Sequence, residues 1–463
     1  MSENLLEPSD LDLVRREVLE FSDHVDPTED GIALAFAEKR RDNLRYDHTA
    51  GRWYTWDGTR WRVEETDLAF HYARELCREF NKEHRTATLP KLRTAAAVER
   101  FARADRRLAV THKVWDRDPW LLATPGGTIY LRDGSMLENR RTDLITRATA
   151  VAPAAEMPTP LWSRFLCEAT KGDPDLIRFL QVMSGYCLTG ITREHALFFL
   201  YGLGGNGKGV FVNTIAQILG DYHVAANMDV FTASRYDRHP TELARLAGAR
   251  LVTASETEEG RAWAESRIKQ LTGGDPVAAR YMRKDFFEYV PQFKLVFLGN
   301  HKPVLRNVDD AARRRFNIIP FTNKPETPDP ELSEKLEPEY PGILFWMIEG
   351  CLAWQRKGLV RPEAVQRETE SYFADQDVFT QWLTECTEKK YETTGETSAK
   401  LFSSWRIWAQ RQGEDPGTAK SFVEKMTAAG FQYTKNTPGQ HGKRGFRGIS
   451  LVVADDDFRP YAD

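Results

Sequence analysis

Apolar and polar positions along this chain change period several times, and each change marks a change of element. Trp53-Tyr54-Thr55-Trp56-Asp57-Gly58-Thr59-Arg60-Trp61 reads as two short strands around an Asp-Gly turn. Residues 66–110 carry apolar residues and alanines at helical spacing. Pro125-Gly126-Gly127 and Asp133-Gly134 bracket a short strand at 128–131, and residues 151–160, with three prolines, read as a linker. From about 161 to 360, helical segments alternate with short apolar runs at 196–201, 249–254, 293–298 and 317–321. Such strands among helices predict an α/β fold with a mainly parallel sheet. Residues 362–392 read as a helical, charged connection. The last block predicts helices at 398–410 and 418–429, then strands at 431–435 and 446–453 joined by a Gly-rich basic loop, the outline of a winged helix.

Composition adds limits. At ~150 residues per domain, 463 residues predict about three domains. Their expected bounds are an acidic tail at 1–30, an α+β domain at 31–155, the α/β domain at 161–360 and the C-terminal block at 370–463. No 18-residue apolar run exists; the best, 343–354, is short and carries Glu349. The acidic start shows no signal-peptide pattern, so a cytoplasmic protein without a membrane partner is expected. Five scattered cysteines (Cys77, Cys167, Cys187, Cys351 and Cys386) form no Cys-x-x-Cys pair, which excludes zinc-ribbon and redox readings.

The net charge of -4 argues against a basic nucleic-acid binder, but it is unevenly spread. Residues 1–30 hold ten acids against Arg15 and Arg16, so the rest of the chain nets +4. Residues 280–324 hold ten Lys/Arg against four acids, and residues 416–450 hold six against Glu424 alone. Local charge is what a polyanion meets.

The strongest chemical signal is Gly202-Leu203-Gly204-Gly205-Asn206-Gly207-Lys208, with an apolar strand before it and a helical pattern from Val210 after it. This is the strand–loop–helix context of a P-loop: glycines let backbone N–H groups face phosphate oxygens, and the lysine reaches the β- and γ-phosphates. ATP binding is therefore expected at Gly202, Gly204, Gly205, Asn206, Gly207, Lys208, Gly209 and Val210. Gly209 stands where most P-loops place a Ser or Thr hydroxyl on Mg²⁺, so the metal must rest on water and on acids elsewhere. Glu256, just past the strand Leu251-Val252-Thr253-Ala254, is the expected Mg²⁺ and water-polarising acid, with Glu258 and Glu259 as alternates. Asn300 ends a third strand, where a polar side chain orients the attacking water. Arg313-Arg314-Arg315 is either a solvated basic face or the source of an arginine finger. After Pro276 a β-hairpin with Arg280, Arg283 and Lys284 suits a nucleic-acid backbone.

Taken in order, Gly202–Gly209, Ser255-Glu256-Thr257-Glu258, Leu271-Thr272-Gly273-Gly274-Asp275, Leu298-Gly299-Asn300 and the arginines before Ile318-Ile319-Pro320-Phe321 resemble superfamily 3 helicases. The resembling branch is the helicase module of phage and plasmid primase-helicases, related to the poxvirus helicase-primase, and the likeness runs over roughly 30–460. Asp118-Pro119-Trp120-Leu121-Leu122 with Ile145-Thr146 is similar to that family's N-terminal helicase-associated segment. The resemblance implies an AAA+-like core, a hexameric ring on single-stranded or forked DNA and ATP between subunits. It also implies Lys208 on phosphate, Glu256 as Walker B acid, Asn300 as sensor, and Arg315, then Arg314, as finger. Arg283 and Lys284 would line the channel. Lys443, Arg444 and Arg447 are the DNA candidates of the C-terminal block, which could instead meet a separate primase or initiator. No primase domain is expected in this chain.

Overall fold

The computed structural model describes residues 26–85, 87–233, 241–255, 261–282, 285–305, 309–412, 415–440 and 442–452. The chain forms two compact units, Met1–Pro303 with Arg314–Gln366, and Val304–Arg313 with Arg367–Asp463.

The first unit begins with the helix Glu29–Arg40, capped by the Thr28 hydroxyl, which accepts from the Gly31 amide at 3.1 Å. Strands β1 (Leu44–Asp47), β2 (Arg52–Trp56) and β3 (Trp61–Val63) run antiparallel, with β4 (Ala109–Val110) parallel to β1. The expected Asp-Gly turn is present: Asp57 Oδ1 accepts from the Thr59 and Arg60 amides at 2.9 Å each, closing β2 onto β3. Helices Leu68–His84 and Leu92–Ala102 complete this layer, around Phe36, Trp53, Leu76 and Val98.

The antiparallel strands β5 (Leu121–Thr124), β6 (Gly127–Tyr130) and β7 (Ser135–Leu137) follow. Trp120, Leu122, Ile129 and Ile145 share one core with the later helices, so apolar packing runs across the proline-rich stretch at 151–160. That stretch is also bonded in place, with the Ala154 amide donating to Pro341 O at 3.0 Å. It is a packed connection rather than a free linker. Helices Pro174–Cys187 and Tyr340–Lys357 cross at glycines: a Cβ on Gly185 would lie 2.0 Å from the Cys351 nitrogen, and one on Gly350 would lie 2.1 Å from Gln181 O.

The central sheet is five-stranded and wholly parallel. Its order is β14 (Phe316–Pro320), β8 (Leu197–Tyr201), β13 (Lys294–Gly299), β10 (Leu251–Ser255), β9 (His223–Ala225). The middle strands are buried along their length, which is why they read as continuous apolar runs. Tyr201 pairs with Gly299, and Ser255 with Leu298, so the carboxyl ends of β8, β13 and β10 share one sheet edge. Loops leaving that edge of a parallel sheet form the usual ligand crevice.

The hairpin after Pro276 is β11 (Val277–Arg280) with β12 (Phe286–Tyr289). Ala279 and Phe287 bury against Ala244, and the Tyr289 hydroxyl donates to Leu243 O at 2.7 Å.

The second unit packs helices Val378–Cys386, Ser398–Arg411 and Ala419–Ala428 around Trp382, Trp405, Phe422 and Phe446. The expected helices stand where the periodicity put them, but the sheet differs from the sequence reading. The strands are short, β17 (Tyr433–Thr434), β18 (Gly445–Arg447) and β19 (Ile449–Leu451). Two more, β15 (Thr387–Lys389) and β16 (Gly395–Thr397), come from stretches not read as strand. β15 pairs with β19, and β16 and β17 flank β18. In β15 only Thr387 is buried, and its outward Glu388 and Lys389 gave it the look of a charged connection.

Candidate active site

At the end of β8 the chain turns through Gly202–Gly207 into the helix Lys208–Leu219. Gly207 has φ +83°, and a Cβ there would lie 2.8 Å from the Phe165 ring, so the last turn of the loop accepts glycine alone. Asn206 is buried; its Nδ2 donates to Phe321 O, while the Phe321 amide donates to Tyr201 O at 2.7 Å. The loop is thereby stitched to the segment that follows β14.

Lys208 is 7% exposed, and its ammonium donates to Gly202 O, to Asn206 Oδ1 at 3.1 Å and to Asn300 Oδ1 at 3.2 Å. These acceptors are neutral. Burial lowers the lysine's pKa, and among the described residues no carboxylate is bonded to it to offset that cost. No side chain caps the helix at Gly207, so its first-turn amides stay open to an outside acceptor. A cation with no carboxylate partner among the described residues, at an uncapped twelve-residue helix start, has the chemistry to take an anion.

Asn300 is exposed directly after β13, and its bond to Lys208 joins two motifs that the sequence holds 92 residues apart. β10 ends at Ser255; Glu256 and Glu258 lie outside the described residues. Arg315 is half-buried at the end of the helix Asp310–Arg315, and its Nε donates to Thr272 Oγ1 at 3.2 Å. Thr272 is buried and donates in turn to Ile268 O at 2.7 Å. The Thr272-Gly273-Gly274-Asp275 segment and Arg315 therefore meet within one chain. Arg314 is exposed, with its carbonyl accepting from Arg361 at 2.7 Å.

Among the described residues nothing stands within 4 Å of the position a Cβ on Gly209 would take, so those residues leave room there for a side chain. Among the described residues no group of three or more His, Cys, Asp or Glu could hold a metal ion, and Glu256 is not among them. None of their helices is long and apolar enough to cross a membrane.

Arg280 ends β11 with its guanidinium 4.8 Å from the ring centroid of the exposed Phe286; Arg283 and Lys284 lie outside the described residues. In the second unit Lys443, Arg444 and Arg447 are all exposed. The Gly-rich loop at their base is closed by Thr437, whose amide donates to Lys443 O at 2.9 Å. Sequence reading missed Lys302, which lies 4.3 Å from the Tyr201 ring centroid, and Lys324, which lies beside Gly205. The available signal was position: each follows closely on a strand flanking β8.

Residues 33–171 match a family described as D5 N terminal like, and residues 200–315 match a family of unknown function, DUF5906. The L207/L206 protein of Acanthamoeba polyphaga mimivirus, named as a candidate helicase, is 26% identical over 258 residues, 51% of this chain and 27% of that protein. The 184R protein of Invertebrate iridescent virus 6, named likewise, is 30% identical over 172 residues, 35% of this chain and 18% of that protein. The C962R protein of African swine fever virus (isolate Warthog/Namibia/Wart80/1980), named as a candidate primase, is 23% identical over 300 residues, 58% of this chain and 31% of that protein. The chain thus spans less than a third of the length of these relatives. The apo C-terminal region of NrS-1 shares the fold, with a TM-score of 0.50 at 13% identity over 89% of this chain and 97% of that one.

Relatives and family segments together point to one class, proteins named as candidate helicases and primases. Within that class, the chain is similar over its matched segments to the helicase module of the primase-helicase family.

Proposed function

We propose that the chain is an ATP-dependent DNA helicase of the superfamily 3 kind, working as a homo-oligomeric ring, a hexamer, on single-stranded or forked DNA in phage, prophage or plasmid replication. The observation that carries this reading is Lys208: a buried ammonium at an uncapped helix start, held by neutral oxygens of the glycine loop and by Asn300 at the next strand end. In this reading the loop is a P-loop on an AAA+-like core, 161–360, preceded by a helicase-associated domain, 31–155, and followed by a winged-helix-like domain, 370–463. Lys208 binds the β- and γ-phosphates, Glu256 holds Mg²⁺ and polarises water, and Asn300 orients that water. Arg315, or Arg314, serves the neighbouring subunit's ATP, and Arg280, Arg283 and Lys284 follow the DNA strand.

Steady-state ATP hydrolysis with and without single-stranded DNA tests it. Lys208→Ala is expected to abolish turnover, and Asn300→Ala to lower kcat by about 10²-fold, the usual cost of removing one oriented polar group. DNA-independent turnover that survives Lys208→Ala would overturn the reading.

Gly209 favours a second reading, a weakly hydrolysing, ATP-binding loader or initiator module, because the usual Mg²⁺ hydroxyl is absent. Gly209→Ser separates the two. A large rise in turnover would favour the loader; unchanged turnover favours the helicase.

A further inference from the structure

The chain beyond β14 is pinned to the glycine loop. The Phe321 amide donates to Tyr201 O at 2.7 Å and its carbonyl accepts from Asn206. Two residues on, Asn323 Nδ2 donates to Glu168 O at 2.7 Å. Glu168 belongs to the helix Pro160–Ala169, whose Phe165 also packs beneath Gly207. This tether fixes the backbone on which the exposed Lys324 stands. Its Cε and Nζ lie 3.3 and 4.0 Å from the position that a Cβ on Gly205 would occupy. The nearest acid in sequence is Glu326, and the hydrogen bonds and ion pairs of the described residues give Lys324 no carboxylate partner.

A lysine brought to a glycine loop by a fixed backbone, with no acid among the described residues to neutralise it, meets whatever anion the loop holds. We propose that Lys324 is a second phosphate-contacting lysine of the nucleotide site, reaching the polyphosphate from the open side of the loop while Lys208 reaches it from the buried side. The inference rests on reading the loop as a nucleotide phosphate site. The two lysines differ physically. Lys208 is buried and so less screened by salt, whereas Lys324 is solvated, so its attraction grows with the charge of the ligand and is screened by salt.

Calorimetric affinities for ATP, ADP and AMP with Mg²⁺, at low and high salt, test it on the full chain. Lys324→Gln is expected to weaken ATP about tenfold, the scale of one charge-assisted contact. AMP binding and the melting temperature of the nucleotide-free protein should not change, and Lys324→Arg should retain most of the ATP affinity. The gap between wild type and Lys324→Gln should narrow at high salt. An unchanged ATP affinity in Lys324→Gln, or an equal loss for ATP and AMP, overturns the proposal while leaving the loop reading intact. Failure of the wild type to bind any nucleotide, or wild-type affinity in Lys208→Ala, overturns the loop reading and this inference with it.

Discussion

At the scale of single residues, the loop makes opposite demands on two of its glycines. Gly207 combines φ +83° with a Phe165 ring 2.8 Å from any Cβ, so Gly207→Ala should cost more than 1 kcal/mol in denaturant unfolding. Gly209 sits in helical backbone with no described residue within 4 Å of a Cβ, so Gly209→Ala should be neutral or stabilising by up to about 1 kcal/mol. Equal effects of the two substitutions would contradict the loop geometry. A buried lysine that the sequence does not flag gives a second test. Lys294, at the start of β13, donates to Thr189 O and, at 3.3 Å, to Gln292 O, and burial pulls its pKa down to about 7. The unfolded lysine keeps its proton up to its ordinary value of 10.5, so between pH 7 and 10.5 the unfolded chain binds a proton that the native one lacks. Stability from this group therefore rises with pH across that window. Wild type should gain on Lys294→Met from pH 7 to 10, and parallel stability curves for the two would refute the assignment. Lys208 and its glycines were legible because their chemistry is local in sequence. Lys294 and the Asn206–Phe321 bond were not, since the first looks like a polar edge to an apolar run and the second joins residues 115 apart.

At the scale of elements, the helices Pro174–Cys187 and Tyr340–Lys357 carry the sheet-bearing core, and they approach through Gly185 and Gly350. Gly185→Ala sets a methyl against backbone that cannot move aside, so a loss of about 1–3 kcal/mol or more is expected by chemical denaturation. In the second unit Trp382 is fully buried and donates to Ser404 Oγ at 3.1 Å. Trp382→Ala should cost about 3–5 kcal/mol in that unit's unfolding transition. β8, β10, β13 and β14 could be read in advance because both faces are covered, leaving no polar alternation. β9 was missed because it is a three-residue edge strand, His223–Ala225, with no buried position. β15 and β16 were missed for a related reason: strands of three residues are set by their partners, not by a pattern of their own.

At the scale of the whole molecule, the charge of -4 separates into an acidic first thirty residues and a remainder of +4. If the exposed Lys443, Arg444 and Arg447 meet a DNA backbone, replacing all three by alanine should reduce the dependence of log affinity on log salt for single-stranded DNA by about 2, at ~0.7 per phosphate contact. An unchanged slope would assign that surface to a protein partner instead. The central claim, that ATP chemistry at the Lys208 loop drives strand separation, is tested most directly by unwinding of a labelled DNA fork. Wild type with ATP and Mg²⁺ should release the displaced strand, and Lys208→Ala should release none while keeping its fold. No release by the wild type across forks of either tail polarity, under conditions where it binds DNA and hydrolyses ATP, would contradict the account.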